Sequence, residues 1–213
     1  MADHVFDPAE VAEAYRYSSH WYRSLVGAVS DPDWDAPALG EWSVRELVAH
    51  TARAFRTVVE YVDGDPKDPT PIATAAEYFR IVLSEETPHV HIAERARREA
   101  RSESDWVTAL DQIVAEALAI VDGSDPSTAM HLFVGEMPLG QYLATRVVEV
   151  VIHGADLAAA LGMASHPPAE ALRTTLLVLA DLAGVDHQVD MIRHLSGRSD
   201  YLAPFDVLGA PPR

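Results

Sequence analysis

Arg146-Val147-Val148-Glu149-Val150-Val151-Ile152-His153-Gly154-Ala155-Asp156-Leu157, running on to Ala160-Leu161-Gly162, is the stretch on which the fold turns. Pro138 opens a helical pattern that lasts to about residue 161, and Gly162 supplies the stop expected after a helix C-terminus. Val147, Val148, Val150, Val151, Ile152, Leu157, Ala158 to Ala160 and Leu161 make this helix apolar nearly all round, the signature of a buried element. Within it Arg146, Glu149, His153 and Asp156 recur at steps of 3, 4 and 3, which places all four on one face. Ionisable groups buried without partners cost several kcal/mol, so these four are expected to be paired with one another or bound to a metal.

Outward from that helix, punctuation by Pro, Gly and Asp divides the chain. Pro8 starts a helical stretch to about residue 29, and Asp31-Pro32-Asp33-Trp34-Asp35-Ala36-Pro37 reads as a loop. Ser43 followed by Glu46 is a capping box that begins a helix to about residue 62. Residues 70–101 read as helical in two pieces divided near Pro88. A further helix over 104–121 carries Trp106, Leu110, Ile113, Ala117 and Val121 on one face. Residues 129–135 read as a short extended piece with a turn, 169–183 as a helix and 187–196 as a weaker one. The expected fold is all-α: an antiparallel four-helix bundle of 8–29, 43–62, 104–121 and 138–161. Residues 1–162 form the bundle unit, and 163–213 a helical extension packed on it whose tail, 203–213, is partly loose.

Composition narrows the function classes. The 213 residues include 33 acidic and 16 basic side chains, a formal charge of −17, which argues against nucleic acid or an anionic membrane as partner. No cysteine is present, so disulfides, iron–sulfur clusters, thiolate zinc ligands and a protein thiol nucleophile are excluded, and any thiol must come from outside. No apolar run reaches the roughly 18 residues of a membrane span, and the N-terminus lacks a signal-peptide pattern. A cytoplasmic protein is expected. Fifteen of the 16 basic residues are Arg, Lys67 being the exception, which hints at high-GC coding and decides nothing about mechanism.

Glu149 and His153, one helical turn apart, can converge on one cation. His50, beside the apolar face of Leu47, Ala54 and Val58, is the best third ligand. Two His and one Glu with an open position form a catalytic zinc-type set, which could equally hold Ni²⁺, Co²⁺, Mn²⁺ or Fe²⁺. The alternative is a buried ion-pair network of Arg146, Glu149, His153 and Asp156. Glu46 and His50 are also four apart, but Glu46 is claimed by the cap. His131 could line a pocket, Trp21 or Tyr22 could face a cleft, and His187 and His194 read as packing residues. His89 and His91 read as surface, and Arg95, Arg97, Arg98 and Arg101, alternating with Glu94 and Glu99, as a solvated face.

Two segments together resemble a known family. Trp42-Ser43-Val44-Arg45-Glu46-Leu47-Val48-Ala49-His50 resembles the W-[ST]-V-x-[DE]-L-x-x-H signature of the DinB-like superfamily. The 146–162 stretch resembles the R-x-x-E-x-x-x-H-x-x-D-L-x-x-A-L-G segment of the mycothiol-dependent maleylpyruvate isomerase branch, with Gly135-x-Met137-Pro138-Leu139 in between. The resemblance spans about residues 10–162. It implies a DinB-like four-helix bundle holding a divalent metal, usually zinc, on His50, Glu149 and His153. It also implies mycothiol as co-substrate, binding the metal as a thiolate and attacking a small electrophile in S-transfer or cis–trans isomerisation. Arg146 would then orient Glu149 or receive a substrate carboxylate, and Asp156 would hold the distal nitrogen of a ligand histidine or cap Arg146. The isomerase proper carries a C-terminal α/β domain for which residues 163–213 are too short and too helical, which favours S-transferase or a related isomerase chemistry. A metal-dependent hydrolase and a non-catalytic metal- or small-molecule-binding bundle are the other readings.

Overall fold

Each long helix starts where a side chain or a proline disposes of its free N-terminal amides. In α1, Pro8–Val26, the Asp7 carboxylate accepts from the amides of Ala9 and Glu10, and Gly27 closes the other end, three residues before the expected stop. Helix α2, Val44–Val62, begins on the predicted capping box: Ser43 N–H donates to Glu46 Oε2 at 3.0 Å, and Glu46 N–H donates to Ser43 Oγ at 3.3 Å. A Ser43→Ala chain is therefore expected to lose about 1 kcal/mol in a urea titration. The computed structural model describes residues 3–62, 64, 70–84 and 89–198.

Between α1 and α2 lie a 3-10 turn, Asp31–Asp35, and a small antiparallel hairpin, β1 (Pro37–Leu39) with β2 (Trp42–Ser43). The loop expected over residues 31–37 is thus a 3-10 turn that runs into β1. Helices α3 (Ala75–Ser84) and α4 (His89–Ser102) are the two expected pieces, but residues 70–74 are not helical. Pro71 bridges to Glu136, with Ile72 N–H donating to Glu136 O at 2.7 Å and Glu136 N–H to Thr70 O at 2.8 Å. Thr70-Pro71-Ile72 thus lies along the hairpin of β3 (Ala129–Leu132) and β4 (Gly135–Pro138); Pro71 can neither donate to a helix nor needs to at an edge. Helix α5 runs Trp106–Gly123 from an Asp105 cap, and α6 Leu139–Ala160 from Pro138. On α5 the buried residue beside Leu110 is Val114; the expected Ile113 is only half-buried.

Gly162 ends α6 as expected. At φ +62° it places Met163 N–H on Ala158 O at 2.8 Å and its own N–H on Ala159 O at 3.1 Å, a left-handed cap that a side chain would strain. The chain then turns back into α7 (Ala169–Leu182) and α8 (Val185–Leu195). The tail 203–213 and the side chains of His89 and His91 lie outside the described residues.

Helices α1, α5, α2 and α6 close a ring in which each packs on the next, while α7 lies on α1 and α6 and α4 on α2. Residues 139–148 of α6 are all buried, so this helix is the axis of the core. The core also holds Tyr15, Tyr22, Phe55, Leu47, Trp106, Leu110 and Met137, each at most 2% exposed. Trp21 and Tyr22 are both buried in that core. Gly154 lets α1 and α6 touch: a Cβ there would sit 2.3 Å from the Trp21 ring, whose Nε1 is held by Ser165 Oγ at 2.9 Å.

Candidate metal centre

The α2 cap sets the phase of that helix, and with it the direction of His50. Seven residues after Ser43, His50 leaves α2 toward α6, where its ring meets His153 edge-on with centroids 4.9 Å apart. Trp42 of β2 meets the same ring at a tilt of 48° with centroids 4.7 Å apart, and β1 lies against α6. The hairpin that the sequence reading missed thus walls one side of the histidine.

On α6, His153 is held at both nitrogens. Nε2 lies 3.5 Å from Glu149 Oε2, and Nδ1 lies 3.4 Å from Asp156 Oδ2. One ligand atom from each of His50, Glu149 and His153 lies within 4.8 Å of the other two. The predicted triad is thereby brought together, and Asp156 reaches His153 rather than capping Arg146. No other group of three such residues converges among the described residues. Two imidazoles and one carboxylate fit a borderline divalent ion such as Zn²⁺.

Electrostatics divides the three. Burial, with His153 and the guanidiniums of Arg95 and Arg53 nearby, depresses His50 to about 4 against the pull of Glu149, so it is a neutral donor at pH 7. Burial alone would raise Glu149, but the His153 hydrogen bond and the Arg146 charge outweigh it and hold the carboxyl near 2. Burial alone would lower His153, but hydrogen bonds to Asp156 and Glu149 raise it to about 9. Only His153 has to surrender a proton to become a ligand. The metal-free protein should accordingly be most stable near pH 6.5. Below that value the unfolded chain protonates His50 while the folded one does so only near 4. Above it, the stability from His153 drains away as pH rises through about 9. Thermal melts of the chelator-treated protein from pH 4 to 10 check this, and Asp156→Asn should shift the alkaline limb downward.

Arg146 departs from one expectation. Its guanidinium is buried and no carboxylate lies within 4.0 Å of it among the described residues, so it does not grip Glu149 directly. It stacks over Tyr142 at 4.8 Å and Tyr78 at 5.7 Å, with Nε donating to Thr145 Oγ1 at 3.0 Å and Nη2 to the Tyr78 hydroxyl at 3.5 Å. Its charge still reaches Glu149 electrostatically. The tyrosines of this box were invisible as site residues because aromatic residues at helical spacing read as core.

The remaining candidates fall away. Glu46 stays on the cap and meets Arg97 at 3.7 Å, and His131 pairs with Glu136 at 3.0 Å. His187 and His194, expected as packing residues, are exposed on α8. The arginine row of α4 is more than a solvated face: Glu99 takes Arg53 at 3.3 Å and Arg56 at 3.4 Å, and Arg97 takes Glu41 at 3.2 Å, fastening α4 to the α2 region.

A helical protein with a histidine–glutamate–histidine cluster between two core helices is the class that fold and site define together. Residues 16–158 match the family described as mycothiol maleylpyruvate isomerase N-terminal domain, and the chain belongs to that enzyme family. It also superposes on the crystal structure of a histidine-to-alanine mutant of mycothiol-dependent maleylpyruvate isomerase. The TM-score is 0.50 at 20% identity, with 82% of this chain and 70% of that chain covered. That likeness speaks to the fold, which is all-α and DinB-like. No curated protein sequence matches the chain. Among the described residues no helix is long and apolar enough to cross a membrane.

Proposed function

We propose that the chain is a mycothiol-dependent isomerase or S-transferase whose centre, within residues 1–162, is the His50, Glu149 and His153 cluster. The observation that carries the reading is the convergence of those three donors within 4.8 Å on a helix pair otherwise given over to core. They would hold a divalent cation, zinc being the first candidate; bound there, it would lower the pKa of a thiol so that the thiolate forms at neutral pH.

The chain's own residues serve that chemistry. Asp156 accepts from His153 Nδ1, which fixes the tautomer and leaves Nε2 toward Glu149 and the cluster. Trp42 and His153 both pack against the His50 ring. After the His153 hydrogen bond, the Arg146 charge helps keep Glu149 ionised, and Arg146 would act by positioning that carboxylate from within its tyrosine box. With mycothiol supplying sulfur, addition of the thiolate to a conjugated double bond, rotation about the resulting single bond and elimination return the thiol and the trans isomer. With an electrophile that bears a leaving group, the S–C bond persists. The helical extension, whose described residues are 163–198, would pack beside this unit, and the cytoplasm is the compartment that fits the thiol.

The test is turnover of maleylpyruvate and of simple electrophiles by zinc-loaded protein with and without mycothiol, followed by absorbance and by mass spectrometry of S-conjugates. Activity that requires mycothiol is expected. Hydrolysis of a substrate without any thiol would instead establish the hydrolase reading. Asp156→Asn should retain the fold and weaken zinc binding by about 10–100-fold, measured by competition with a chromogenic chelator.

A further inference from the structure

Helix α8 presents its apolar side to solvent. Val185, Val189, Ile192 and Leu195 follow one another at steps of 4, 3 and 3 on one face and are 72%, 47%, 65% and 81% exposed. None of the helix's residues is buried. The Gln188 side-chain amide ties it to the end of α7, donating to Ala180 O at 2.8 Å and Ala183 O at 3.1 Å. Helix α7 adds a second row. Its buried face is Ala171, Thr174, Thr175 and Val178, whereas Leu172 and Leu176, one turn apart on another side, stand exposed. Single exposed aliphatics are ordinary, but a continuous row on a helix that buries nothing marks a contact surface.

The charges say which partner fits. Asp186 and Arg193, seven residues apart, lie on one flank of the apolar row, whereas Asp190, at 100° per residue, falls on the opposite face of the helix. Two copies laid antiparallel face their apolar rows together and set Asp186 of each against Arg193 of the other, as a two-fold contact requires of a surface that must complement itself. Their dipoles oppose as well. The segment 185–198 holds two Asp and two Arg, so it is locally neutral in a chain of charge −17, and like copies meet there with little repulsion.

We propose that α8, with the exposed row of α7, is a homodimer interface in which a second copy of this chain packs α8 antiparallel to α8 about a two-fold axis.

Sedimentation equilibrium on the full chain tests this. A species of twice the 23.2 kDa chain mass is expected. Ile192→Glu, at an exposed position the monomer fold does not need, should weaken association by about thirtyfold or more with an unchanged circular dichroism spectrum. Asp186→Arg should weaken it, Arg193→Glu should do the same, and the two together should restore it. A monomer at every concentration overturns the proposal, as does a dimer indifferent to Ile192→Glu or to the reversals. A chain that dimerises only after removal of residues 199–213, or that pairs with a different protein instead, overturns it too.

Discussion

Glu149→Ala is expected to come off purification with divalent metal far below one ion per chain, and to bind added Zn²⁺ at least a hundredfold more weakly than the parent. That exceeds the 10–100-fold typical of a lost supporting partner, because Glu149 supplies the one negative charge among the three donors. The remaining imidazoles differ sharply: His50 is a neutral donor at pH 7, whereas His153, relieved of Glu149, keeps only Asp156 to hold its proton. The mutant's His153 should therefore titrate lower than in the parent, which proton NMR of the metal-free proteins measures independently of any metal. His153→Ala should lose the metal as completely, and Ser43→Ala should keep it. Full stoichiometry in Glu149→Ala would mean that the ligand set is wrong and that the 146–156 row is an ion-pair network.

Gly154→Ala carries the largest expected cost to the fold. The added carbon would lie 2.3 Å and 2.5 Å from two atoms of the Trp21 ring, which is itself buried and tied to Ser165. Alanine improves helix propensity by up to about 1 kcal/mol, yet overpacking at such a seam outweighs it. A net loss of about 2–3 kcal/mol is expected, seen as a fall in Tm of roughly 4–12 °C. The displaced seam lies one residue beyond His153, so zinc affinity should fall with stability. Trp21→Phe removes the two offending ring atoms, and the double variant should recover at least about 1 kcal/mol beyond additivity. Strict additivity would mean that α1 and α6 do not meet through this pair.

Much of this architecture is legible in the residues, for identifiable reasons. Capping chemistry is local, so Asp7-Pro8, Ser43 with Glu46, Asp105 and Gly162 mark helix ends within a few residues. The row of ionisable groups in an otherwise apolar helix is a contradiction within one element, and it points to the site directly. What escapes is non-local. Whether residues 70–74 coil or extend is decided by the β4 backbone 65 residues away, with Glu136 bonded on both sides. The pairing of β1 with β2 rests on a two-residue turn that alternation over so short a stretch cannot announce. Arg146 reads as a partner for Glu149 because both lie on one face, but Tyr78 arrives from α3 and Tyr142 from the preceding turn to enclose it. Gly154 carries no pattern at all until Trp21 is placed against it.

The junction at Ser43 has a consequence for how such a chain can change. An α-helix turns 100° per residue, and the hairpin pins Trp42 while the cap pins the first turn. One residue gained or lost between positions 43 and 50 would swing the histidine about a quarter turn away from α6, whereas the same change in the turn at Asp31–Asp35 leaves it in place. The spacing from tryptophan to histidine acts as a ruler, and lineages of this chain should vary in length far more readily in the turn at Asp31–Asp35 than between these two residues.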